Sequence, residues 1–417
     1  MYVGTLATTT SRVKGDGNGY YAYLPSVLLD HDTSFRTLVA ARFPDPSTLG
    51  PAGLTRQPSG AYLEKYSYGA ALIAAPLFAV GHLAARVSGR EADGYTSTEE
   101  FFAGLGALAA GMIGLLALRS FLGRRFRSEA VTVTLVAMTL GTGLLHWMVY
   151  DPLYSHAYSF GAVAVLALAM TRFREDPSSW SRAIALGLAA GIVILLRIPN
   201  VVLVGGLALL GVDSRAALVR RIAACRAHAG RIAAAGACAV APLIPQEVIW
   251  GRATGHWLAS PYVGEGFNWT HPQLAALYSW RPHGLLPYAP VLALAVIGLP
   301  ILWRRHRDWA WAAVAAIVLD TYLICAWHQW DLGVAFGQRG FVDLVPILAV
   351  PFAALVSAVW PTRWRRPVIG AVALLTATTV LGMLAYWQGR LPHDGASPRD
   401  YVTVMFGGSL PGPSNAF

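Results

Sequence analysis

Eleven stretches of this 417-residue chain are almost wholly apolar, at about 69–88, 101–122, 130–150, 156–171, 183–197, 199–212, 232–250, 285–303, 309–327, 340–360 and 367–387. Most approach the roughly 20 residues that carry a helix across a ~30 Å hydrocarbon layer at 1.5 Å per residue. Charged residues make up 13% of the chain and hydrophobic ones 55%, whereas a soluble domain carries about 25% charged residues. Too little polar surface is left to cover a water-soluble globule. The pattern predicts one all-α, polytopic membrane domain over 1–417. It has about ten transmembrane helices over 101–388, an interfacial or re-entrant helix in a first external loop, 1–100, and a short external tail, 389–417. Pro199 breaks one long run in two, because proline cannot continue the helical ladder and disfavours helix in the residue before it.

The net charge of +10 raises the question of nucleic acid, and the placement of the charge answers it. Lys14 and Lys65 are the two lysines. The arginines crowd into alternate short loops: Arg124, Arg125 and Arg127; Arg172, Arg174 and Arg182; Arg215 to Arg231; Arg304, Arg305 and Arg307; Arg363, Arg365 and Arg366. That is a topology signal, and no nucleic-acid partner is expected. Cytoplasmic loops hold Lys and Arg, so these five loops are assigned to the inside. Loops 151–156, 251–284 and 328–339 and the tail after 388 then fall outside. The 69–88 segment carries His82 and Arg86, which suits an interfacial helix; residues 1–100 then all lie outside. Three cysteines, Cys225, Cys238 and Cys325, are too scattered for a disulfide framework or a thiolate metal site.

Ionisable groups are costly at a membrane and are functional candidates by default. They gather on the external side in four clusters. The first is Gly15-Asp16-Gly17-Asn18-Gly19-Tyr20-Tyr21 with Asp30-His31-Asp32. Glycine lets a backbone approach a ligand closely, and Tyr20 and Tyr21 offer flat faces and hydroxyls to a sugar ring; an exposed turn before an amphipathic helix fits equally. The second is Asp151-Pro152-Leu153-Tyr154-Ser155-His156, read either as a helix-capping turn or as a site for a metal or a phosphate. The third is His328-Gln329-Trp330-Asp331 with Gly337-Gln338-Arg339-Gly340. There Arg339 at a helix start suits an anion, and an interfacial Trp/Arg anchor is the alternative. The fourth is loop 251–284, with Tyr262, Glu265, Asn268, Trp269, His271, Arg281 and His283, expected to touch substrate. Arg197, at the outer end of its helix, is a further anion candidate, unless it only snorkels to the interface.

Taken in order, Gly-Asp16-Gly-x-x-Tyr20-Tyr21-x-Tyr-Leu-Pro-Ser, then Lys65-Tyr-Ser-Tyr-Gly, Asp151-Pro-x-x-Ser-His156-Ala and Gly-Gln338-Arg339-Gly-Phe-Val-Asp343 resemble the glycosyltransferase C superfamily. The likeness is to bacterial integral-membrane relatives of the protein-mannosyltransferase and aminoarabinose-transferase type, over nearly the whole chain. It implies a polyprenyl-phosphate-linked sugar donor, a lipid, glycan or protein acceptor, and an active site on the external face of the cell membrane. It implies Asp16 as the base in the first external loop and Asp151 as the acidic residue of the next. Tyr20, Tyr21, Lys65, His156, Arg197, His328, Gln338 and Arg339 are expected to contact substrate or phosphate. Such proteins begin with a transmembrane helix ahead of that loop; fifteen residues precede Asp16 here. No cofactor and no metal ligand set is required, although a divalent metal between Asp16 and Asp151 stays open. Two rival readings are a lipid-linked-sugar transporter or flippase, and a membrane polysaccharide polymerase or ligase using a diphosphate-linked donor. Polar groups at one face, and no internal repeat of the kind transporters show, favour the enzyme.

Overall fold

A computed structural model describes residues 13–262, 264–333, 335–408 and 410; the first twelve residues of the expected external loop and the end of the tail, 411–417, lie outside them. The chain opens with α1 (Gly17–Tyr23), a wider turn over Leu24–Leu29, and α2 (Arg36–Arg42). A small antiparallel hairpin follows, β1 (Leu54–Arg56) with β2 (Tyr62–Glu64), Leu54 opposite Glu64. Then come α3 (Gly69–Val87), α4 (Ser97–Leu122), α5 (Ser128–Leu140), α6 (Leu144–Val149), α7 (His156–Glu175), α8 (Trp180–Leu196), α9 (Val201–Ala208) and α10 (Arg215–Ala227). The last part holds α11 (Ala229–Val240), α12 (Ile244–Thr254), α13 (Ala293–Arg305), α14 (Arg307–Ala326), α15 (Val345–Val359), α16 (Arg365–Trp387) and α17 (Pro398–Met405).

The protein is an all-α polytopic membrane protein. Among the described residues six helices are long and apolar enough to cross a membrane: α3, α4, α7, the continuous stretch Ala229–Thr254, α14 and α16. Four apolar helices are shorter: α5, α8, Ile198–Ala208 and α15. The shortening has a local cause. The run at 130–150 bends at Gly141–Gly143 between α5 and α6, and the run at 285–303 is cut by Pro287 and Pro290 before α13 begins. The break at Pro199 falls where expected, as a tight turn Ile198–Asn200 between α8 and α9. The start of α4 is fixed by a reciprocal cap: Thr96 Oγ1 accepts from the Glu99 N–H while the Glu99 carboxylate accepts from the Thr96 N–H, satisfying two donors that a helix start leaves orphaned. α15 is enclosed from Val345 to Val356 and forms the centre of the bundle, with α13, α5 and α14 packed on it.

The bundle is polarised. At one end arginines join neighbouring loops: Arg124 pairs with Glu175 at 2.8 Å, Arg125 with Asp308 at 2.5 Å, and Arg231 donates to the Ser178 carbonyl at 3.1 Å. The opposite end carries residues 13–100. α3 is long enough to cross by length and composition, yet its placement is unusual. Its start, Gly69, lies against Leu196 at the end of α8. Its later turns pack on the first half of α4, with Gly81 against Phe102 and Ala74 against Gly106. The second half of α4 packs instead on α7, with Gly114 against Gly161. α3 therefore begins at the level where α8 ends and extends away from the arginine-rich end.

Close helix approach rests on small residues, as is usual where lipid supplies no hydrophobic drive. At Gly298 of α13 a Cβ would lie 1.9 Å from the Pro351 carbonyl oxygen of α15, whereas at Gly236 of α11 it would meet open space. Gly298→Ala is expected to destabilise by about 1–3 kcal/mol through overpacking. Gly236→Ala is expected to stabilise by about 0.5–1 kcal/mol through helix propensity. Thermal unfolding in detergent should shift in opposite directions for the two.

Candidate active site

The end of the bundle away from the arginine-rich loops holds a cluster built from seven separated segments. Asp16 occupies the position before α1 but makes no side-chain cap there. Its carboxylate instead accepts from Arg339 Nη2 at 2.7 Å. Gly15 reaches this geometry with a φ of +50°, and a Cβ there would sit 2.3 Å from the Tyr154 hydroxyl, so glycine is needed on both counts. Burial alone would raise the Asp16 pKa. The Arg339 charge, a hydrogen bond from the Tyr66 hydroxyl and the Lys65 charge outweigh it and hold the carboxyl below the usual range.

Arg339 opens the tight turn Arg339–Val342 ahead of α15, and Gln338 braces that turn: its Oε1 accepts from the Gly340 N–H at 2.8 Å and its Nε2 donates to the Trp330 carbonyl. Arg339 is buried, with its guanidinium 5.3 Å from the centre of the Tyr154 ring. Its Nε has no hydrogen-bond partner among the described residues.

Lys65 follows β2. The hairpin is held by Trp250, whose indole donates to the Glu64 carbonyl at 2.8 Å, and Lys65 itself donates from its backbone to Gly53. Its ammonium pairs with Glu265 Oε1 at 3.0 Å and lies 5.3 Å from the Tyr66 ring and 5.8 Å from the Tyr262 ring. The other Glu265 oxygen faces His328 Nε2 at 3.6 Å. A short antiparallel bridge, Phe267 with Trp327, fastens this loop to the end of α14.

Arg197 caps the end of α8, where the turn at Pro199 redirects the chain. Its Nη1 donates to Asp343 Oδ2 at 2.7 Å, and Asp343 Oδ1 faces His156 Nδ1, at the start of α7, at 3.5 Å. Tyr20 lies between these groups. Its ring is 4.6 Å from that of Tyr66, its hydroxyl accepts from Ser155 at 3.0 Å, and both Arg197 and Arg339 act on it. Burial pushes its pKa up to about 12, so it stays neutral and offers a donor and an acceptor at neutral pH.

Of the residues singled out from the sequence, the structure thus brings together Asp16, Tyr20, Lys65, His156, Arg197, His328 and Arg339. Gln338 stands behind Arg339 as its brace. Tyr21 points into the core, with its hydroxyl on the Gly94 carbonyl at 2.5 Å and its ring edge-on to Phe78 and Tyr95. Asp151 is engaged by His146 at 3.1 Å. Among the described residues no group of three or more His, Cys, Asp or Glu side chains is arranged to hold a metal ion. Tyr262 and Glu265 come from the loop expected to touch substrate, whereas Tyr66, Tyr154 and Asp343 belong to the cluster without having been singled out. A signal was available for two of them, since Tyr66 adjoins Lys65 and Tyr154 lies between Asp151 and His156 in the chain.

In this all-α membrane bundle an early loop and a late turn meet over a charged site at one end. Two solved structures are similar throughout. ArnT from Cupriavidus metallidurans in the apo state matches with a TM-score of 0.54 and 13% identity, covering 92% of this chain and 67% of that one. The same protein bound to undecaprenyl phosphate matches with 0.53 and 13%, covering 93% and 69%. At this identity the likeness is one of fold. The archaeal oligosaccharyltransferase AglB from Archaeoglobus fulgidus is more remote, at a TM-score of 0.46 and 11% identity over 97% of this chain and 53% of its own. No family model and no curated protein matches the chain.

Removing one partner of a buried ion pair leaves an uncompensated charge and costs about 3–5 kcal/mol. Asp343→Ala is therefore expected to lower the unfolding temperature sharply, and Arg197→Leu on that background to recover part of the loss. A double-mutant cycle on thermal stability reads this coupling; additive effects would show that the two side chains act independently.

Proposed function

We propose that the chain is an integral-membrane glycosyltransferase that moves a sugar from a polyprenyl-phosphate donor to an acceptor hydroxyl, with inversion, on the face opposite the arginine-rich loops. The observation that carries this reading is the convergence of Arg339 and Lys65 on the Asp16 carboxylate, with Arg197 joined to them through Tyr20, at one end of a membrane bundle. The positive-inside rule assigns the arginine-rich end to the cytoplasm and the site to the outer face of the cell membrane. A fold shared with a protein that has been seen with undecaprenyl phosphate supports the choice of donor.

The acceptor oxygen attacks the anomeric carbon from the side opposite the phosphate. The bond between that carbon and the phosphate oxygen breaks, its electron pair leaves with the polyprenyl phosphate, and the acceptor proton passes to Asp16. Arg339, Arg197 and Lys65 neutralise charge growing on the leaving monophosphate, an effect that strengthens where water is excluded. Arg339 has a second consequence. At rest it pairs with Asp16 and keeps the carboxylate a weak base. A donor phosphate competes for the guanidinium, loosens that pair and raises the basicity of Asp16 when the substrate is in place.

Asp16→Asn is expected to reduce transfer of radiolabelled sugar from polyprenyl-phosphate sugars by about 10²-fold or more, the usual contribution of a general base, while the protein stays folded. Full activity in that variant would overturn the assignment. The pH dependence follows from the lowered Asp16 pKa. In the free enzyme the carboxylate stays ionised as pH falls through the ordinary carboxylate range, so kcat/KM is lost only below it. With donor bound and Arg339 shared, the acid limb of kcat moves to higher pH. Initial rates across pH, at limiting and saturating donor, read the two limbs.

A further inference from the structure

Beside the Asp16 site stands a second arrangement that the transfer chemistry does not use. Asp151 lies in the turn after α6, and its Oδ2 is 3.1 Å from Nε2 of His146, a fully buried residue of α6. The other ring nitrogen, Nδ1, is 2.9 Å from the indole nitrogen of Trp387, the last residue of α16. An indole N–H is only a donor. His146 Nδ1 must therefore accept, its one ring proton sits on Nε2, and that proton points at Asp151. Trp387 sets the tautomer, and His146 in turn fixes the carboxylate.

The surroundings are aromatic. Tyr150 stacks on Trp387 with the planes 2° apart and centres 5.3 Å apart, both rings being half-buried. The Tyr386 hydroxyl hydrogen-bonds His393 Nδ1 at 3.0 Å. Asp151 itself is 19% exposed. Tyr154 connects this shelf to the reacting centre: its ring lies beneath Arg339, and its hydroxyl abuts Gly15, next to Asp16. Tyr154 thus stands between the Asp16 site and the turn that carries Asp151.

We infer that this shelf is the acceptor subsite and that the acceptor is a saccharide, an inference that rests on the glycosyltransferase reading. A fixed, partly exposed carboxylate accepts from paired ring hydroxyls with charge-assisted bonds, and the flat aromatic pair supports the C–H face of a sugar ring. A saccharide ring presents several hydroxyls at fixed spacing, so a second, oriented acceptor group beside an aromatic face has a partner when the first hydroxyl sits at Asp16. Asp151 is the binding residue; His146 and Trp387 are positioning residues that act through it.

Two measurements test this on purified full-length protein. The first is saturation-transfer NMR with the methyl glycosides of glucose, galactose and mannose, wild type beside Asp151→Asn and Trp387→Phe. Asparagine keeps the His146 contact and phenylalanine keeps the stack, so both variants should fold. At least one glycoside is expected to bind the wild type, Asp151→Asn to lose most of that signal, and Trp387→Phe to lose a part. The second is turnover: in Asp151→Asn the KM for a saccharide acceptor should rise about tenfold or more. Glycoside binding that depends on Asp151, without turnover on any polyprenyl-phosphate sugar, would keep the shelf and sink the transferase reading. Equal binding in wild type and Asp151→Asn, or transfer to a serine peptide or a lipid hydroxyl with no saccharide bound, would overturn the inference.

Discussion

The pairing of Asp16 with Arg339, across 323 residues of chain, is the contact on which the site end of this protein depends. Each charge is taken largely out of water, and each offsets part of the cost of placing the other there. The pair fastens the first loop onto the turn that opens the central helix α15. Gly15 bends left-handed to let the carboxylate reach, and Tyr154 fills the space under the guanidinium. Two parallel devices repeat the logic nearby. Lys65 with Glu265 ties the hairpin region to the loop ahead of α13, and Arg197 with Asp343 ties the end of α8 to the start of α15. Each joins a cation near the site to a carboxylate from a distant segment, which leaves every cation held in place but not wholly spent.

That arrangement suits a phosphate. A cation with no partner at the membrane surface would be costly and mobile, and one buried in a perfect bidentate pair would have nothing left to offer. Arg339 keeps its Nε without a described partner, and Arg197 gives one terminal nitrogen to Asp343 while also acting on Tyr20. The opposite end of the bundle uses its arginines differently, in partly exposed pairs between loops such as Arg124 with Glu175, which add little stability.

Much of this could be read from the sequence because the chain is so poor in charge. In a background of 13% charged residues, Lys65, Arg197 and Arg339 stand out at the edges of apolar runs, and Asp16 stands out between glycines. The fold class followed from run length. Helix breaks did not, except at Pro199, because an apolar run has the same composition on both sides of the bend at Gly141–Gly143. The partners were hidden for a different reason: ion pairs and relays join residues hundreds of positions apart. Asp343 was visible as a charge near a helix start but not as the partner of Arg197 and His156. His146 sits inside an apolar stretch, where an ionisable residue is already a signal, yet only the fold brings Trp387 to it from 241 residues away. Tyr21 shows the opposite failure, since its neighbour Tyr20 faces the site while the next position along the helix turns into the core.

The most direct test of the account is the affinity of the purified protein for polyprenyl phosphate without sugar, compared among wild type, Asp16→Asn and Arg339→Gln. If Asp16 and the donor phosphate compete for one guanidinium, Asp16→Asn, although unable to transfer sugar, binds polyprenyl phosphate more tightly than wild type. Each tenfold gain corresponds to about 1.4 kcal/mol released from the ion pair. Arg339→Gln binds it more weakly. Unchanged or weakened binding in Asp16→Asn would contradict the account, because the pair at the centre of the site would then have no connection to the phosphate.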